Sequence, residues 1–202
     1  FGLATQSLGP LYLFRNVSNF SRCSPYPIHK YEQGGGFAKI GAEPEKLKYA
    51  KGRLILFHNT LLQPPSPWEI GHKTAGVEKG IIYTSRSKVQ ENMLSRNNIF
   101  YVRPGEISIY DPNKNESNDF DHDLYNEKII AEKGSEANGL KGVPSYKNTD
   151  IKAKEFYLLP SSPGYDDGIV IPNFNSNYHG EGPDMGAYED GNPPLRFGVS
   201  QK

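Results

Sequence analysis

The chain has 202 residues, 23 of them basic and 23 acidic, for a formal net charge of zero. That balance argues against a broad nucleic-acid patch or an electrostatically held membrane surface. Its 21 Gly and 16 Pro argue against a helical bundle, and no apolar run approaches the length of a membrane span. A lone cysteine, Cys23, permits neither an internal disulfide nor a cysteine metal cluster.

In chain order, four segments read as strands because they are rich in aliphatic and aromatic residues. They are 11–17, 53–62, 97–102 and 120–125. Residues 86–94 carry the spacing of one short helix. Each strand segment holds a small polar residue followed by its neighbour: Asn16-Val17, Asn59-Thr60, Asn98-Ile99 and Asp123-Leu124, at spacings of 43, 39 and 25. No strict repeat has such intervals, but regular turns of a solenoid joined by loops of unequal length do. Asn side chains stacked in such a solenoid satisfy backbone groups at a tight bend, so they read first as structural.

Residues 9–17, 56–61 and 96–100 resemble coils of bacterial right-handed parallel β-helix proteins. The stretch 162–168 with 182–189 (Gly-Pro-Asp-Met-Gly-Ala-Tyr-Glu) is similar to the closing signature of that class. The resemblance implies an all-β fold, a right-handed parallel β-helix with long irregular loops. It treats 1–202 as a single domain, the C-terminal coils, with a closing cap at about 160–202. Gly182 and Gly186 would permit tight backbone there, Met185 and Tyr188 would fold over the final coil, and the acidic residues would accept backbone N–H groups. Residues 1–8 are too few to close the other end. Earlier coils are therefore expected, on the same protein or on a partner chain, and the chain alone is expected to self-associate.

The same resemblance implies a secreted or cell-surface bacterial protein acting on polysaccharide, with a polysaccharide lyase as the leading reading. The alternative is a non-catalytic carbohydrate-binding, adhesive or assembly component. Such a lyase needs a cation on the sugar carboxylate and a base for the adjacent carbon acid. Arg15, Lys39 and His58 are the catalytic candidates. Arg15 and His58 each precede the bend Asn, so a one-coil translation superposes them on one exposed groove, with Phe14 and Phe57 turned inward. Tyr12, Arg96 and Tyr101 are the substrate-binding candidates. Oxygen-bearing side chains at Asp111, Asn113, Asn115 and Asp119 alternate as a Ca²⁺ loop requires, although Glu116 and His122 occupy positions where an EF-hand needs Gly and Glu. No cofactor is required by this reading, and no nucleic acid or membrane span is expected.

Overall fold

The computed structural model describes residues 3–5, 10–18, 38–40, 52–62, 82–83, 92–102, 104–148 and 155–196; for 3–5, 38–40 and 82–83 the backbone alone is described. It is strand-rich, and there is no helix among the described residues. The strands are β1 (Leu3–Thr5), β2 (Leu11–Phe14), β3 (Val17–Ser18), β4 (Ala38–Ile40), β5 (Leu54–Phe57), β6 (Thr60–Leu62) and β7 (Ile82–Tyr83). They continue with β8 (Met93–Arg96), β9 (Ile99–Tyr101), β10 (Ile107–Tyr110), β11 (Asp119–Phe120), β12 (Leu124–Tyr125), β13 (Lys128–Ile130) and β14 (Leu140–Lys141).

Every pairing between these strands is parallel. The sheets run β1-β4, β13-β10-β7, β11-β8-β5-β2 and β14-β12-β9-β6-β3. The chain visits them in rotation, so β2 and β3 fall in one pass, β5 and β6 in the next, and β8 and β9 in the third. The segments 11–17 and 53–62, each read as one strand in the sequence, are therefore two strands split at a two-residue bend; 120–125 is split by three residues, and 97–102 holds β9 alone. Met93 and Leu94 lie in β8, not in a helix; the remainder of the expected helix lies outside the described residues apart from Asn92. Met93 pairs with Leu54 and is fully buried.

Alternation along the strands divides the apolar residues into two clusters. Leu13, Leu54, Leu56, Leu61, Met93, Phe100, Val102, Ile109 and Phe120 form the first. Leu62, Ile99 and Leu124, on the other side of the β3–β14 sheet, pack with Phe156, Leu158, Met185, Ala187 and Tyr188 from the terminal segment. β5 reads Leu-Ile-Leu-Phe and is buried at all four positions, as a strand covered on both sides must be. Leu54 and Leu56 join the first cluster, while Phe57 points the other way and meets Phe174 at 5.1 Å between ring centroids. This corrects the expected direction of Phe14 and Phe57. Their row faces away from the central cluster, and the inward row is Leu13, Leu56, Ser95 and Phe120.

The terminal segment runs along the sheets. The Gly186 N–H donates to Asn97 O at 2.7 Å, and the Ala187 N–H donates to Thr60 Oγ1 at 2.9 Å. Gly186 has φ of 89°, and a Cβ there would sit 2.6 Å from Thr60 Oγ1, so this close approach needs glycine. The expected cover over the final coil thus reaches strands of the second and third passes. The reason is that Leu62 and Ile99 carry apolar surface there that needs burying.

Candidate functional site

The bends are built alike. Arg15, His58, Asn97 and His122 have φ of 52°, 53°, 58° and 57°, the left-handed region that costs most residues about 1 kcal/mol. Each is followed by a ladder residue. The Asn16 N–H and Nδ2 donate to Asn59 Oδ1 at 3.0 and 2.9 Å. The Asn59 pair donates to Asn98 Oδ1 at 2.9 and 2.8 Å, and the Asn98 pair to Asp123 Oδ1 at 2.7 and 2.8 Å. These side chains satisfy backbone that the bend removes from the sheets.

At Asp123 the ladder changes chemistry. Ser95 Oγ donates to Asp123 Oδ2 at 2.5 Å, and the Asp123 N–H donates to Glu136 Oε2 at 3.1 Å. The next ladder position is Gly139, paired in sequence with the β12–β14 register, and the Glu136 carboxyl occupies the space its side chain would fill. Both acids are buried, and burial pushes both upward, Glu136 further because it also faces the Asp123 charge. Asp123 is held down in turn by donors from Ser95 and Asn98. Asp123 is therefore the carboxylate and Glu136 keeps the proton. Raising the folded-state value of an acid makes its contribution to stability complete below the ordinary glutamate range and progressively lost as pH rises above it. The Glu136 contribution should fall as pH rises from about 4.5, and Glu136→Gln, which keeps a donor without a titrating group, should remove that slope in urea melts above about pH 6.5, where His58 no longer opposes it.

His58 is 1% exposed, which corrects its expected place on an open groove. Its Nδ1 faces Gly186 O at 3.2 Å, and its Nε2 lies 3.0 Å from Asn97 Nδ2 and 2.8 Å from Asn175 Nδ2. The Arg15 and His58 positions are equivalent, as the sequence implies: Phe14 pairs with Phe57 and Val17 with Thr60. They do not share an open face, because the terminal segment covers His58. Arg15 is half-buried with its guanidinium 5.5 Å from the Phe14 ring centroid. Lys39 lies in β4 opposite Ala4, and its side chain falls outside the described residues.

Of the substrate-binding candidates, Tyr12 is half exposed at 50% and stacks on Phe174, centroids 5.7 Å apart and planes at 23°. Arg96 lies on the same side of the same sheet, where its Nη2 pairs with Asp119 at 2.7 Å. Tyr101 is in the neighbouring sheet, packed against the terminal cluster, so it does not join the other two.

The Ca²⁺ candidates are engaged otherwise. Asp111 Oδ2 accepts from the Asn115 N–H at 3.1 Å and Asn118 Nδ2 at 2.9 Å, Asn115 Oδ1 accepts from the Ser117 N–H at 3.0 Å, and Asp119 pairs with Arg96. Asn113 is exposed. These are turn-forming bonds made by the residue types a Ca²⁺ loop also uses. No group of three or more His, Cys, Asp or Glu fit to hold a metal occurs among the described residues. In the closing signature, Asp184 accepts the Asp166 and Asp190 N–H groups, and Glu189 accepts those of His179 and Asp184. Phe174, Asn175, Ser95 and Glu136 carry much of this arrangement and went unread in the sequence. Only Ser95 had a signal, as a polar residue in register with Leu13 and Leu56. Comparison of the chain with family models, with curated proteins and with solved structures gives no match.

Proposed function

We propose that the parallel sheets are faces of a right-handed β-helix, and that this chain forms C-terminal coils of a secreted, bacterial cell-surface protein that binds polysaccharide without cleaving it. The carrying observation is the Tyr12 ring, half exposed and backed by Phe174, on a strand face that also presents the Arg96–Asp119 pair. A flat aromatic ring with a rigid backing offers a stacking surface for a sugar ring, and the charged pair, on the second and third strands across the same sheet face, offers hydrogen bonds farther along it. The lyase alternative is weakened by His58, whose two nitrogens are already engaged by Gly186, Asn97 and Asn175. A partner strand would pair with β2 and β3, which end their sheets among the described residues, and would extend the ladder at the Asn16 carboxamide.

Affinity electrophoresis in gels containing neutral or uronic polysaccharides tests this. Retardation by at least one polymer, weakened roughly ten-fold in Tyr12→Ala, is expected for a stacking contact of 1–2 kcal/mol. Equal retardation of the variant would remove Tyr12 from the site. Appearance of a new C=C absorbance during incubation with a polyuronate would restore the lyase reading.

A further inference from the structure

The two amides beside His58 have their orientation set by the backbone. Asn97 Oδ1 accepts the Ile169 N–H at 2.9 Å, so its Nδ2 is the atom near the imidazole; it also donates to Ile169 O at 2.7 Å. Asn175 Oδ1 accepts the Ile171 N–H at 2.6 Å, and its Nδ2 donates to Ile169 O at 2.8 Å. His58 Nε2 therefore faces two N–H donors and must be an acceptor. The proton is on Nδ1, where Gly186 O accepts it. Gly186 and Asn175 belong to the terminal segment, and His58 and Asn97 to consecutive bends. The neutral imidazole thus ties that segment to the sheets at two points.

We propose that His58 is an acid-sensitive latch: a proton on Nε2 opposes the two amide donors and releases residues 169–187 from the sheet faces. The charged groups around it have defined senses. Burial holds His58 down to about 4, and Arg15, on the preceding bend, adds to this by disfavouring a second positive charge. Asp184 and Glu189, on the terminal segment, are both raised by burial, so their protonation favours the closed form and opposes the latch in sign. A histidine lowered in the folded state contributes fully above about 6.5 and loses that contribution as pH falls toward about 4. Release would uncover Phe57 and Phe14, both now in edge contact with Phe174. Release would also take Phe174 from behind Tyr12.

Hydrogen exchange, corrected for intrinsic rates, reads it directly on the full chain. Between pH 7 and pH 4 the opening equilibrium of peptides spanning 165–190 should rise on the order of 100-fold, the factor a shift of this size permits. β8 and β9 should stay protected, and His58→Gln should not show the rise. Nitrogen-15 shifts of the wild-type ring supply a second measurement should that variant fail to fold. They should show Nδ1 protonated and Nε2 bare at neutral pH, with a midpoint well below 6. An Nε2-protonated ring, a midpoint near 6.5, or simultaneous exposure of β8 and the terminal segment would each overturn the latch.

Discussion

Asn98→Ala is expected to destabilise the fold by about 4–6 kcal/mol, from the usual 1–3 kcal/mol for each buried polar group left without its partner. Asn98 Oδ1 is the acceptor for both the N–H and the Nδ2 of Asn59, and Asn98 Nδ2 donates to Leu56 O at 2.9 Å as well as to Asp123. Asn59, Asn98 and Asp123 are each 0% exposed, so water does not replace what alanine deletes. Asn16 sits at the end of the row among the described residues and is only half-buried, and its Nδ2 donates to Asn59. Asn16→Ala should therefore cost about 1 kcal/mol. Urea titrations of both variants provide the check. Equal losses at positions 16 and 98 would mean that the ladder is not what orders the bends.

The ladder is the part of the fold most legible in the sequence. A small polar side chain that accepts backbone N–H groups at these bends has to recur beside a strand, and the unequal intervals of Asn16, Asn59, Asn98 and Asp123 record loop length without disturbing that requirement. Strand direction was less legible. Phe14 and Phe57 are expected inward as the alternation partners of Arg15 and His58. Alternation says only that the two sets face opposite ways. What decides the matter is Phe174, more than a hundred residues later, which shields the aromatic row and leaves the leucines for the inside. The same remote segment closes over His58, so the exposure expected of a base could not be judged from the strand alone. The strands Ile107–Tyr110 and Lys128–Ile130 went unread because they are short and bear no ladder residue. The Ca²⁺ reading turns on a pattern that two structures share: Asp and Asn oxygens at alternate positions suit a cation and a tight turn equally, and bonds such as the Asn115 N–H to Asp111 Oδ2 are of the turn-forming kind.

Ser95 and Asp123 are expected to behave as one unit. At earlier bends the ladder amide can donate to carbonyls, as Asn98 Nδ2 does to Leu56 O and Arg96 O. A carboxylate has no proton to offer there, and its second oxygen requires a donor. The residue in register with Leu56 is Ser95, and its hydroxyl supplies that donor in a row otherwise filled by Leu13, Leu56 and Phe120. Ser95→Ala should thus strand one oxygen of a fully buried carboxylate and cost about 3 kcal/mol, at the upper end for a bond to a charged group. Adding Asp123→Asn restores an amide that can turn its Nδ2 toward the strand carbonyls, as Asn98 does. The double variant should regain about 2 kcal/mol of the loss, a coupling well above the 0.3–0.5 kcal/mol within which independent changes add. It should also be less sensitive to alkali than the wild type, because Glu136 then no longer faces the Asp123 charge that adds to its burial. Additive losses in the double-mutant cycle, measured at pH 7 and again at pH 9, would show that the serine and the aspartate are stabilised separately. The change from amide to carboxylate along the row would then need another cause.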